Sequence, residues 1–183
     1  MKRMVLFSGG VDSTALLLQE LESGSDVLVV HLILKTETNR WQLEMVACAR
    51  VIAELHARGY DFEYMDVTVD ATAMGGGRDS WYYIQTAANI ARNREDIIAV
   101  AVGFIDDEAE AIAFPQTINN TELFRGCKGT SCAELTYPLA GKTKKELIAK
   151  MGNLFECTFS CRVPVGIEPC GQCNTCKAIK EAL

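Results

Sequence analysis

The chain opens on an apolar run, residues 2–7, which a Ser-Gly-Gly turn closes at Ser8. A short continuous run bounded by a turn reads as a strand buried on both faces, as in a parallel sheet. Residues 12–22 then place Ala15, Leu16 and Leu18 at helical spacing, and Gly24 stands where a C-cap glycine stands. Residues 27–34 form a second buried run, and residues 40–56 a long helix with Leu43, Ala47, Val51 and Leu55 on one stripe. A third strand is expected at 61–67, where polar and apolar residues alternate weakly. A helix at 81–91 follows with Ile84, Ala87, Ala88 and Ala91 on one face, then a β-branched fourth strand at 97–104. Further on, a helix at 118–125, a short fifth strand at 135–139 and a helix at 143–151 are expected, and a cysteine-rich stretch leads into a last helix at 175–183.

Strands alternating with helices predict an α/β fold: a mostly parallel sheet with helices on both faces. The expected division is an α/β domain over residues 1–155 and a cysteine-rich segment, 156–183, packed on it. With 183 residues, 49% hydrophobic and 23% charged, the chain has an ordinary globular composition. Its apolar runs are too short to span a bilayer and its N-terminus lacks a signal-peptide core, so the expected location is the cytoplasm. The net charge of −6 argues against holding nucleic acid through phosphates and favours a small-molecule substrate.

The glycine-rich start carries the first chemistry. Phe7-Ser8-Gly9-Gly10-Val11-Asp12-Ser13-Thr14 joins the first strand to the first helix. Ligands of open α/β sheets bind at the carboxyl ends of strands, and a helix N-terminus there offers bare amides to an anion. Glycine lets the backbone approach phosphate closely, and Ser8, Ser13 and Thr14 add hydroxyls. Asp12 fits if it holds Mg²⁺ or caps the helix. No lysine follows the glycines, so this is not the GxxxxGK[ST] loop, nor is it GxGxxG.

The cysteines carry the second. Cys161-x8-Cys170-x2-Cys173-x2-Cys176 offers four thiolates within sixteen residues. Zn²⁺ takes four tetrahedral ligands, and four thiolates leave no position for water, so one structural zinc per chain is expected. An iron–sulfur cluster also suits four cysteines, and a redox pair is a third reading. Cys157 reads as a buried thiol, and Cys127-x4-Cys132 lacks two further ligands. His31 and His56 stand in no motif, and Trp81, Tyr82 and Tyr83 are candidates to stack on a purine or to pack in the core.

The string SGGVDST resembles the signature of the PP-loop ATP pyrophosphatases, of the adenine nucleotide alpha hydrolase-like fold. Together with Thr158-Phe159-Ser160-Cys161 and the Cys-Gly-x-Cys-x2-Cys that follows, the chain resembles the 7-cyano-7-deazaguanine synthases of the queuosine pathway. Pro138-Leu139 with Lys144 and Glu146 matches a further stretch of that family, and Arg78, Arg40 and Glu44 match single positions. The resemblance implies a ligase that forms C–N bonds. It would convert 7-carboxy-7-deazaguanine and ammonia to the nitrile in two ATP-dependent rounds, releasing AMP and pyrophosphate.

On that resemblance Phe7 through Leu17 (Phe7, Ser8, Gly9, Gly10, Val11, Asp12, Ser13, Thr14, Ala15, Leu16, Leu17) bind ATP with Mg²⁺. Asp12, Ser13, Lys144 and Arg78 serve the chemistry, and Arg40, Glu44, Asp107 and Glu108 meet the deazapurine. Glu44 also reads as a solvated helix face, and the acids at 106–108 as a helix N-terminal turn. The family's Tyr-Gly-Gln-Arg-His becomes Glu37-Thr38-Asn39-Arg40-Trp41, its Arg-Asn becomes Arg78-Asp79, and its Tyr-Pro-Asp-Cys-Arg has only a loose counterpart in Phe114-Pro115-Gln116-Thr117. These departures leave open a PP-loop ligase that stops at the amide, or uses a different amine or carboxylate. A tRNA-thiolating or lysidine-type enzyme would want a basic face, and the charge of −6 does not supply one. A non-catalytic zinc module would not need the intact loop. A homodimer is compatible with a chain of this length.

Overall fold

A computed structural model describes residues 1–74, 79–105 and 113–183. Its elements are β1 (Lys2–Phe7), α1 (Val11–Glu22), β2 (Val27–Lys35), α2 (Arg40–Ala57), β3 (Glu63–Asp70), α3 (Asp79–Asn93), β4 (Ile97–Ala101), α4 (Ala113–Cys127), β5 (Glu134–Thr136), α5 (Lys144–Met151) and α6 (Asn174–Ala182). The five strands form one sheet in the order β3-β2-β1-β4-β5, and every pairing is parallel.

The order follows from where each helix buries its apolar face. Alternate residues of β1 point to opposite sides. Val5 and Phe7 meet α1, α2 and α5 through Leu16, Leu17, Val51, Leu55 and Leu147. Met4 and Leu6 meet α3 and α4 through Ile84, Ala88 and Phe124. The chain therefore steps outward over one face from β1 to β3. It then crosses to the other face through α3 and lays β4 on the far side of β1. The C-terminal ends of β1 and β4 become the point where the winding reverses, which is where open sheets bind ligands.

Local signals explain several boundaries. Gly24 adopts φ +76, and the amides of Gly24 and Ser25 close onto Leu21 and Glu20, a Schellman end for α1. Gly59 ends α2 the same way, with Gly59 and Tyr60 bonding to His56 and Leu55. Thr143 and Glu146 form a reciprocal capping box that starts α5.

The differences from the sequence expectations have physical causes. β3 runs to Asp70 because residues 63–70 alternate strictly between half-buried and exposed, as suits the outer strand of the sheet. The fourth strand stops at Ala101: the Val102 amide makes the last rung, to Thr136 O, and Gly103 then meets α1. α4 starts at Ala113, earlier than 118, with Pro115 in a first turn where its missing N–H costs no bond. The buried stripe of α2 carries Glu44, Ala47, Cys48, Val51 and Leu55, with Leu43 only partly covered. No helix among the described residues is long and apolar enough to cross a membrane.

Candidate active site

The loop after β1 is shaped by packing as much as by any ligand. Gly9 takes φ +70, and a Cβ there would lie 2.8 Å from the backbone nitrogen of Cys48 and 3.0 Å from its sulfur. Gly10 faces the chain's tail: a Cβ would meet Ser160 Oγ at 3.0 Å. Gly103, at the end of β4, lies against the first turn of α1, with Asp12 backbone atoms 3.0 Å from where its Cβ would be. Gly9 and Gly103 thus sit against backbone, whereas Gly10 sits against a side-chain hydroxyl.

Gly9→Ala combines an unfavourable φ with a clash against backbone. We expect it to cost about 2–4 kcal/mol, lowering the melting temperature by roughly 5–15 °C. Thermal denaturation measures this, and an unchanged melting point would show that the loop can relax.

The hydrogen-bond accounting of the loop decides what it can hold. Ser13 Oγ donates to Gly10 O and accepts from Ser8 N–H, each at 3.2 Å, and lies 3.2 Å from Ser8 Oγ. Val11 N–H donates to Ser160 Oγ at 2.8 Å, and Thr14 N–H to Gly10 O at 2.9 Å. The amides of Gly9, Gly10, Asp12 and Ser13 take no protein partner among the described residues. Thr14 is fully buried and its Oγ1 has no partner among them either. Ala15, Leu16 and Leu17 lie in the core beneath the loop, so they carry the helix and not its N-terminal surface. Phe7 is core as well, although its carbonyl accepts from His31 Nδ1 at 3.0 Å.

A helix N-terminus with several bare amides favours an anion. Lys144 adds a full charge. The capping box holds α5 with Lys144 at its first position, and the Nζ reaches both carboxylate oxygens of Asp12, at 2.5 and 2.7 Å. Lys144 is buried and Asp12 partly exposed. Asp12 does not cap α1, whose N-cap is Gly10. Its observed role is to hold Lys144 beside the loop.

Arg40 and Glu44 pair with each other at 2.8 Å along one turn of α2, and Arg40 also binds Asp79 at 2.7 Å. Arg162 approaches the same Asp79 at 3.3 Å. Glu44 is buried, so the solvated-face reading is corrected: its carboxylate balances the Arg40 charge. Burial pushes the Glu44 pKa up against the pull of Arg40. Burial also opposes the Arg40 charge, but Glu44 and Asp79 outweigh it and raise the guanidinium's pKa above its ordinary value. Arg78, Asp107 and Glu108 lie outside the described residues.

The aromatic candidates divide. Trp81 is exposed, Tyr82 leans on Leu32, Leu34 and Ala71, and Tyr83 packs in the core with its hydroxyl donating to Leu32 O. His31 is buried beside the loop, with Cys48 Sγ 3.4 Å from its Nδ1, and burial raises the Cys48 thiol pKa well above its ordinary value.

The four cysteines come together. The sulfurs of Cys161, Cys170, Cys173 and Cys176 all lie within 4.8 Å of one another, and those of Cys170 and Cys176 are 4.0 Å apart. Four ligands about 2.3 Å from one zinc would stand about 3.8 Å apart at tetrahedral angles. A four-iron cube places each thiolate on a different iron and spreads them farther. The spacing therefore fits a single metal ion. The amides of Gln172 and Cys173 donate to Cys170 Sγ at 3.4 and 3.3 Å and lower its pKa. Burial and the bond to Cys173 raise that of Cys176. Cys127 and Cys132 do not join this group.

Sequence reasoning did not single out Ser160, Gly103 or Asp79 as parts of the site. Ser160 had a usable signal, since it directly precedes a metal ligand within a stretch already matched.

No family model matches the chain, and no curated protein matches it. Solved structures are similar in backbone. One is the U34-tRNA thiolase NcsA from Methanococcus maripaludis with its [4Fe-4S] cluster: 16% identity, TM-score 0.56, covering 100% of this chain and 64% of that one. Another is a 4-thiouridine synthetase–RNA complex with bound ATP: 16% identity, TM-score 0.59, covering 99% of this chain and 49% of that one. This chain spans less than two-thirds of the length of either. At such identity the likeness establishes the fold alone, a five-stranded parallel sheet with helices; the four-cysteine cluster is seen in this chain itself.

Proposed function

We propose that this chain is an ATP pyrophosphatase that adenylates an oxygen of its substrate, and that the substrate is 7-carboxy-7-deazaguanine, converted with ammonia to 7-cyano-7-deazaguanine. The observation that carries the ATP chemistry is the group of bare amides at Gly9, Gly10, Asp12 and Ser13 with Lys144 held beside them. The resemblance of the loop and the terminal cysteines to the nitrile synthases supports the acceptor. The charge of −6 supports a free deazapurine over a polynucleotide, although RNA accompanies one neighbour.

In the first round a carboxylate oxygen attacks the α-phosphorus of Mg-ATP and pyrophosphate leaves. Ammonia attacks the acyl carbon and displaces AMP, giving the amide. In the second, the amide oxygen attacks the α-phosphorus of a second ATP and pyrophosphate leaves; loss of AMP with the two nitrogen protons then gives the nitrile. These steps need positioning and charge stabilisation more than proton transfer. The amides and Lys144 receive the pyrophosphate charge, and Asp12 keeps Lys144 in place. Mg²⁺ arrives with the nucleotide. The four thiolates hold one structural Zn²⁺, whose filled shell leaves it no part in the reaction. Arg78 is proposed beside the phosphates, and Asp107 and Glu108 beside the deazapurine. The partners are the deazapurine, ATP and ammonia. Neither stable nucleic-acid binding nor a membrane is involved, the setting is cytoplasmic, and a homodimer is the proposed assembly.

One observation favours a second reading. Arg40, the residue placed to meet the substrate, is already neutralised by Glu44 and Asp79. A site so balanced favours an acceptor other than the family's, or a halt at the amide. Mass spectrometry of the deazapurine and AMP after incubation with Mg-ATP and ammonium separates the readings. Nitrile with two AMP per product is the expected result. An amide with one AMP would support a halt at the amide, and no AMP would overturn this substrate in favour of another acceptor.

A further inference from the structure

We propose that the metal knot sets the conformation of the phosphate loop through Ser160, a positioning residue directly before Cys161. The inference rests on the reading of the loop as an ATP site. α1 starts after Gly10, and the amide of its first residue, Val11, finds no acceptor within the loop. Ser160 supplies the missing acceptor from 149 residues away, taking Val11 N–H at 2.8 Å. Its neighbour Phe159 donates its own N–H to Gly9 O at 2.9 Å. Two consecutive residues of the tail thus fasten the loop on either side of Gly10.

The approach is close. A Cβ on Gly10 would lie 3.0 Å from Ser160 Oγ and 3.5 Å from Phe159 O, so any side chain there would press on the Ser160 hydroxyl. The amides left for a ligand, at Gly9, Gly10, Asp12 and Ser13, flank the fastened one, and their orientation follows from it.

The fastening segment is itself held at two ends. On one side Leu154 is fully buried, with Phe155 and Cys157 against the same core. On the other is Cys161, buried, its sulfur accepting Cys170 N–H at 3.2 Å and converging with the other three. Beyond Cys161 the apolar anchorage is thin: α6 has no buried residue, and Val163, Val165 and Ile167 are exposed. Exposed polar contacts add to it, Arg162 with Asp79 at 3.3 Å and Asn39 Nδ2 with Gly166 O at 3.0 Å, and the metal is proposed as the main hold on that end. Loss of the ion would free Ser160 and, through it, the first turn of α1.

The test compares wild type with Ser160→Ala and Ser160→Thr by three measurements: bound metal, amide hydrogen exchange over residues 5–16, and calorimetric binding of inorganic pyrophosphate with Mg²⁺. The alanine variant should keep one metal per chain. Its exchange over residues 9–14 should accelerate at least about fivefold, and its pyrophosphate affinity should fall about five- to tenfold, as for loss of a helix cap. Threonine, which keeps the hydroxyl, should restore both, and chelating the metal from wild type should reproduce the faster exchange. An alanine variant with wild-type exchange and affinity would overturn the inference, as would alanine and threonine failing alike. If wild type itself binds no pyrophosphate the ATP reading fails, and the exchange comparison still decides whether Ser160 fastens the loop.

Discussion

Replacing Lys144 with methionine should lower AMP formation by about 100- to 1,000-fold, the usual consequence of losing one preorganised charge at a transferring phosphoryl group. Methionine keeps the length and the apolar stem, so packing between α1 and α5 should survive. What changes is the sign of the field at the loop. Lys144 Nζ touches both oxygens of Asp12. With the ammonium gone, a bare carboxylate stands on the first turn of the helix proposed to receive polyphosphate. The loss should therefore exceed that of Asp12→Asn, which keeps the cation. Adding Asp12→Asn to Lys144→Met should recover part of the activity, because it removes the repulsion the single change exposes. Steady-state AMP release and the melting temperature of all three variants check this. A Lys144→Met enzyme within tenfold of wild type would show that the phosphates are stabilised elsewhere.

What the sequence made legible was short-range. The buried run at 2–7, the turn at Ser8 and the start of α1 lie within a dozen residues, and hydrophobic pattern and glycine chemistry suffice to read them. The four cysteines are similar, since two Cys-x2-Cys spacings dictate much of the sulfur geometry. The long-range pairings were not legible. The Lys144–Asp12 pair spans 132 residues and the Ser160–Val11 bond 149. A pattern of apolar positions says which face of a helix is buried, but not which polar group waits on that face. Glu44 shows the cost of this. It occupies the buried stripe of α2, and its place there makes sense only with Arg40 beside it and Asp79 brought in by α3. Gly9 also meets Cys48 backbone, a contact that no local pattern reveals.

Removal of the metal should have the largest effect on stability. Structural zinc contributes about 10–16 kcal/mol in small zinc-binding peptides, where little else holds the chain. The tail resembles that situation, since α6 buries no residue and only Ile179 leans on the main core. The core around β1 should persist without the ion, because Leu147, Met151 and Leu154 are packed independently of the cysteines. Cys173→Ser should therefore give two separable losses. The segment after Cys157 should become rapidly proteolysed and lose its exchange protection. The remaining sheet should melt later, as its own transition. Purified wild type should carry one zinc per chain and show no visible absorption. Visible absorption with bound iron would instead assign the four sulfurs to a cluster, against their mutual spacing within 4.8 Å. A Cys173→Ser protein with an unchanged single transition would mean that the tail holds itself. The exposed Val163, Val165 and Ile167 leave it little apolar contact with which to do so.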